Sequence, residues 1–178
     1  MLNPNRTFAT FVCDNHNNSA HATAKLIAET PGTAYNPLFI YGECGAGKTH
    51  LLHAIGHHLL KKNKGTQIAL LTMEQFLSEY IKAVEHNRIP AFREKYRQCD
   101  LLLLDDVESL AGKVRLQEEM FHTFVQLVDA QKQIVMACYC SSTQAIPEEI
   151  SQMELRLVSR FESGKTTDMQ PVDAEKRR

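Results

Sequence analysis

The stretch IYGECGAGKTHLL, positions 40–52, has the residue types and spacing to hold a phosphate. Gly42, Glu43, Cys44, Gly45, Ala46, Gly47, Lys48 and Thr49 spell G-x-x-x-x-G-K-T, and His50 follows. Glycines let consecutive backbone N–H groups turn inward around phosphate oxygens, and a helix that starts there adds the positive end of its dipole. The lysine of such a loop reaches the outer phosphates, and the next hydroxyl faces magnesium. A plain glycine turn between strand and helix leaves the adjacent Lys48 and Thr49 without a reason.

A phosphate loop of this kind needs a second acid on the magnesium side. LLLLDD at 101–106 supplies it, at the carboxyl end of an apolar run, where open α/β sheets bind their ligands. Asp105 is expected beside Thr49, holding magnesium through water. Asp106 is expected to polarise the attacking water; the structural alternative for the pair is a strand cap. ELRLVSRFESG carries Arg156 and Arg160, four apart and so on one face of a helix. They are either a solvated basic edge beside Glu154 and Glu162 or an arginine delivered in trans to a neighbour's γ-phosphate. The residues alone leave both open. His50, His53 and His57 recur at helical spacing, with His58 next. No H-E-x-x-H is present, so a packed or solvated helix face is expected rather than zinc.

These groups need a rigid frame. PLFIY (37–41), QIALLT (67–72), LLLLD (101–105) and QIVMAC (133–138) are continuous apolar runs, as in strands covered on both faces. A fifth strand is expected near 165–170. Helical patterns lie between them, at 19–30, 48–62, 73–86 and 116–130. The third has Phe76, Leu77, Tyr80, Ile81 and Val84 on one face, and the fourth has Met120, Phe121, Phe124, Leu127 and Val128. Met73, Met120 and Met136 read as core filler. Alternating strands and helices imply right-handed crossovers and a mostly parallel sheet with helices on both faces. PVDAEKRR at 171–178 reads as a helix start with Asp173 as N-cap, or else as a polar tail.

The chain of 178 residues suits one domain. Its longest apolar runs are too short to span a membrane, and no basic-then-apolar leader opens it. Cys13, Cys44, Cys99, Cys138 and Cys140 are odd in number and form no C-x-x-C pair, which fits reduced thiols in a cytoplasm. The net charge of -1 means that any contact with nucleic acid must come from a local patch.

The stretches LNPNRTFATFV, YNPLFIYGECGAGKTHLLHAIGHHL, FREKYRQCDLLLLDDVESLAGK, QEEMFHTF and RLVSRFESG resemble the AAA+ domain of the DnaA family of bacterial replication initiators. The resemblance covers nearly the whole chain in the right order. It implies an α/β P-loop NTPase core of the AAA+ class, with a five-stranded parallel sheet in the order 5-1-4-3-2 and helices on both faces. Residues 1–178 form a single unit on this view. Within it, 1–35 is an N-terminal linker and adenine-side helix, 73–97 an initiator-type helical insert, and 171–178 the start of a lid helix. Gly42 to Thr49 match the Walker A motif, and Asp105 and Asp106 the Walker B motif. Arg160 matches the arginine finger and Arg156 a second arginine.

The same resemblance implies ATP, ADP and Mg2+ as cofactors and an ATP-dependent homo-oligomer on origin DNA, with slow hydrolysis. The insert is expected to touch single-stranded DNA, with Ile81, Lys82, Val84, Lys113 and Arg115 as candidates. A replicative helicase or its loader is a further partner. The family's helix-turn-helix domain is absent, so no duplex sequence recognition is expected of this chain alone. Three positions depart from the family: Tyr139 stands where an acid is usual, and Asp14 and Asn18 replace the glycine and arginine near the adenine. The alternatives are a DnaA-related regulator or helicase loader, or a paralogue that no longer switches. A small P-loop kinase fits less well, because 139–155 contains no arginine for its lid.

Overall fold

The computed structural model describes residues 1–140 and 152–171. The apolar runs become strands: β1 is Leu38–Gly42, β2 Ile68–Thr72, β3 Leu101–Asp105, and β4 Gln133–Tyr139. The more polar β5, Lys165–Met169, lies at one sheet edge, where alternation suffices. All neighbours pair in parallel in the order β2-β3-β4-β1-β5, the expected order read from the other edge.

Each apolar strand feeds two cores by alternation. Leu38, Ile40, Leu101, Leu103, Val135 and Ala137 face one layer, built from helices α1 (Asn18–Glu29) and α2 (Lys48–Lys62). Phe39, Leu102, Leu104, Ile134, Met136 and Cys138 face the other. That second layer contains α3 (Met73–Glu85), α4 (Ile89–Arg97), α5 (Val114–Asp129) and α6 (Leu155–Glu162). Met73, Met120 and Met136 are buried there as core filler.

The insert at 73–97 is two helices, the first of them over the stretch expected at 73–86. A capping box at Thr72 and Gln75 starts α3. Asn87, in the left-handed region at φ +53°, ends the turn after it, and Pro90 sits in the first turn of α4. Met73, Phe76 and Ala83 form the buried face of α3, and Leu77 and Tyr80 pack partly against it. Ile81 and Val84 remain 45% and 51% exposed, so they are not core. The helix expected from 116 begins at Val114. The stretch 172–178, with its expected lid-helix start, lies outside the described residues. Among the described residues no helix is long and apolar enough to cross a membrane.

Rings of Phe76, Phe92 and Tyr96 join α3 to α4, with centroids 4.9–5.2 Å apart. Glu119 of α5, only 4% exposed at its side chain, joins α4 to the main body through Arg93 at 2.9 Å and Arg97 at 2.6 Å. Burial pushes the Glu119 carboxyl up, and the two arginine hydrogen bonds more than offset this, leaving it below the ordinary value. Removing one member of a buried ionic group leaves uncompensated charge, at a cost of about 3 kcal/mol. Glu119→Ala is therefore expected to lower the urea midpoint by the equivalent of about 3 kcal/mol, while Arg93→Ala, at the exposed rim, lowers it less.

Candidate nucleotide site

The loop between β1 and α2 is shaped by its glycines. At Gly42, φ is +149° and a Cβ would lie 1.9 Å from the carbonyl oxygen of Met169, so β5 leaves no room for a side chain. Gly45 and Gly47 have φ of +79° and +98°, in the left-handed region that glycine adopts at little cost. They turn the chain so that α2 begins at Lys48, with its unpaired N–H groups at the loop.

Lys48 is buried, and its Nζ donates to the carbonyl oxygens of Gly42 and Glu43, both at 2.7 Å. Burial lowers its pKa from the ordinary value, against the opposing pull of Asp105 and Glu108. Thr49 Oγ1 donates to Asp105 Oδ2 at 2.6 Å, so the two groups assigned to the magnesium side meet. Hard oxygen donors of this kind suit Mg2+. A loop with two left-handed glycines, a helix N-terminus, a buried amine and a hydroxyl–carboxylate pair fits a nucleoside triphosphate with magnesium.

Asp106 has φ +56° and an exposed side chain, and its N–H donates to Asp105 Oδ1 at 3.1 Å. Desolvation first, then the charges of Asp105 and Glu108, raise its pKa. Such a carboxylate is better suited to accept a proton from water than an unperturbed one. Glu108, in a 3-10 turn at Val107–Leu110, did not emerge from the sequence. Its Oε2 accepts the Tyr139 N–H at 2.9 Å. The available signal was an acid between Val107 and Leu110, whose spacing buries both.

His50, His53 and His57 of α2 clamp the N-terminal segment. His53 Nδ1 accepts the Asn3 N–H at 3.0 Å, His57 Nε2 donates to Asn3 O at 2.7 Å, and His50 Nε2 donates to Thr7 O at 2.8 Å. Phe11 stacks on His21 with centroids 5.1 Å apart, and its ring lies 3.1 Å from where Gly47 would carry a Cβ. The first eleven residues thus lie along the phosphate-loop helix. Asp14 and Asn17 build the turn into α1: Asn17 Oδ1 accepts the Asp14 N–H at 2.9 Å, and Asn18 is the first helical residue.

Arg160 belongs to the other layer. Phe161 stacks on Phe39 near the start of β1, whereas the phosphate loop leaves its far end. Arg160 is exposed and lies 5.9 Å from the Phe121 ring centroid, on the face opposite α2. Arg156 covers the same ring at 4.7 Å, and its Nε donates to Glu154 at 2.6 Å. Neither arginine addresses its own loop.

Four of the five DNA candidates come together. Ile81, Val84, Lys113 and Arg115 line one groove of about 470 Å³, with the exposed Val114 between the two basic residues. Lys82 lines a different groove with Glu79 and Lys95, on the other flank of α3.

Comparison with known proteins follows the same lines. The family model for the bacterial DnaA ATPase domain matches residues 2–168. The chromosomal replication initiator protein DnaA of Thermus thermophilus is 51% identical over 176 residues, covering 99% of this chain and 39% of that protein. The chain thus spans well under half the length of this relative. Domain III of the Thermotoga maritima replication initiation protein DnaA superposes with a TM-score of 0.92 at 41% identity, over 99% of this chain and 72% of that one. A replication initiator DnaA bound to AMPPCP and single-stranded DNA superposes at 0.88 with 38% identity, over 95% of this chain and 51% of that one.

The clamp generates a pH prediction. His53 must be unprotonated at Nδ1 to accept the Asn3 N–H. Burial, then the charges of Arg6 and His57, hold its pKa below the ordinary 6.5, with Asp105 opposing and the N-terminal amine adding to the effect. A lowered histidine pKa contributes stability that is full above pH 6.5 and is lost as pH falls through the folded value. The Asn3 amide resonance is expected to hold its position above that pH and to move as the segment detaches on acidification. His53→Gln, which keeps an acceptor but does not titrate, is expected to flatten this response.

Proposed function

The chain belongs to the bacterial DnaA ATPase-domain family, and from that premise we propose that it is an ATP-switched assembly domain acting on single-stranded origin DNA. The observation that carries this reading is the Thr49–Asp105 hydrogen bond beside the buried Lys48. Two magnesium-side groups and a phosphate-side cation are already gathered at the mouth of one loop.

In this reading Gly42 to Thr49 hold the phosphates of ATP or ADP, with His50 bordering them. Thr49 and, through water, Asp105 would hold Mg2+. When bound, the metal would neutralise phosphate charge. Asp106, short and exposed, orients the water and accepts its proton, and hydrolysis is slow, as a persistent switch requires. Arg160 serves a neighbouring copy's γ-phosphate, with Arg156 beside it. Its place on the layer opposite α2 supports a role in trans and leaves the site incomplete without a second chain.

Residues 1–35 form the linker and adenine-side helix, and 73–97 the DNA-facing insert. The groove of Ile81, Val84, Lys113 and Arg115 mixes apolar and basic side chains, which suits stacked bases and a charged backbone. Lys82 is the weakest DNA candidate, since it faces elsewhere. The related DnaA bound to AMPPCP and single-stranded DNA supports both ligands. A replicative helicase or its loader completes the partner set in a cytoplasmic setting. Duplex sequence is not read by these residues.

Titration with fluorescent ATP and ADP in magnesium tests the reading directly. Lys48→Ala is expected to weaken both by about 100-fold or more, equivalent to about 2.7 kcal/mol. Equal affinity in wild type and Lys48→Ala would remove the switch. Arg160→Ala is expected to leave ATP affinity unchanged and to abolish ATP-dependent self-association in analytical ultracentrifugation. Assembly that survives the substitution would assign the arginine to a solvated edge.

A further inference from the structure

The two edges of the sheet are finished differently. β5, at one edge, is polar, with Lys165 and Asp168 among its residues, as exposed edges usually are. β2, at the other, reads IALLT and has no charge, no proline and no bulge in its register with β3. Every residue of β3 is buried, but in β2 only Leu71 is. β2 thus has the composition of a strand covered on both faces and stands half-exposed.

Its backbone shows which groups are left over. Gln67 O accepts the Leu101 N–H at 3.2 Å, so the backbone groups of Gln67, Ala69 and Leu71 face β3. Those of Ile68 and Leu70 face outward, where the sheet has no further strand. Thr72, next in that series, is closed, since its N–H donates to Gln75 Oε1 at 2.9 Å. A groove of about 600 Å³ follows this edge and takes in both of its faces. On the α2 side its wall is apolar, with Leu2, Leu60, Ile68 and Leu70. On the side of α3 and α4 its wall holds Lys82 and Lys95 against the one carboxylate of Glu79, which Lys95 already bonds at 2.7 Å. That wall carries excess positive charge, and Lys82 supplies it. Successive side chains of a strand laid along β2 would point to opposite faces, one set to the apolar wall and the other to the cationic one.

We propose that the outer edge of β2 receives, as a sixth strand, an extended segment of a partner protein in which apolar and acidic side chains alternate. The outward N–H and C=O groups of Ile68 and Leu70 select an extended backbone, and the two walls select the side chains. A helix has no free backbone groups to pair with the edge. A second copy of this chain, joined edge to edge in antiparallel fashion, would set two cationic walls side by side, like charge against like. Docking at this edge is independent of the phosphate loop, and a nucleotide is not needed for it.

The probe is a fluorescein-labelled heptapeptide of alternating valine and glutamate, titrated into the whole chain and followed by fluorescence anisotropy, with a valine–lysine heptapeptide as its counterpart. Wild type is expected to bind the glutamate peptide at least about tenfold more tightly than the lysine peptide, and Lys82→Glu to lose or reverse that preference. Leu70→Pro removes an outward N–H that β3 does not use, and is expected to raise the Kd of the glutamate peptide about tenfold. Saturating glutamate peptide is expected to slow hydrogen exchange at the Ile68 and Leu70 amides and to leave Ala69 and Leu71, already bonded to β3, unchanged. No binding of the glutamate peptide by wild type, equal binding of both peptides, or binding that leaves the Ile68 and Leu70 amides exchanging as before overturns the proposal. So does a nucleotide-independent dimer in analytical ultracentrifugation that Leu70→Pro disperses, which would assign the edge to a second copy. If Leu70→Pro does not fold, Lys82→Glu and the exchange measurement decide, since Lys82 is exposed on α3.

Discussion

The bond between Thr49 and Asp105 joins two strands that do not touch. Thr49 follows β1 and Asp105 ends β3, and β4 lies between them in the sheet. The two side chains meet because the first turn of α2 lies over the carboxyl end of β3. This is where the chain's crossovers diverge, with β1 followed by a helix on one face and β3 by helices on the other. Such a divergence leaves a crevice at the carboxyl ends of the strands, the usual ligand site in open α/β sheets. Gly42, Lys48, Asp106, Glu108 and Tyr139 all take their places from that crevice.

The frame was largely legible because its signals are local. Four apolar runs, each bounded by helical patterns, could hardly be anything other than strands buried on both faces. The loop glycines and Lys48 carry their chemistry in their spacing. The signals that failed are those that depend on distant partners. Ile81 and Val84 share an apolar face with Phe76 in the sequence, and periodicity shows that a face is apolar and not what covers it. The histidines of α2 gave no hint of a clamp, since Asn3 and Thr7 lie more than 40 residues away. Glu108 was overlooked beside two aspartates that already explained the magnesium side. The resemblance places Lys82 with Lys113 and Arg115, and only the fold shows that it lines a separate groove on the other flank of α3.

Lys48 shows why the loop favours a polyanion over a neutral ligand. Its amine is already desolvated, and two backbone carbonyls hold it in place of water. The cost of burial has been met in folding, and it appears as a lowered proton affinity. A neutral ligand could offer at most a dipole equal to the carbonyls it displaces. A phosphate oxygen offers a charge-assisted bond, roughly twice as strong as a neutral one. The selectivity lies in the exchange of partners, not in the presence of the charge.

The same layered frame keeps Arg160, the arginine proposed to act in trans, away from the loop. Lys48 projects from the α1–α2 layer, whereas Arg156 and Arg160 share the Phe121 ring in the α3–α6 layer. No rotamer of Arg160 can cross the sheet, because β1 and β4 fill the space between with fully buried side chains. On the proposed reading, bringing the arginine to a phosphate requires a second chain, placed with its α6 against the first chain's loop. Two surfaces of one molecule then meet head to tail, and an interface of that kind repeats into a ring or a filament rather than closing as a dimer.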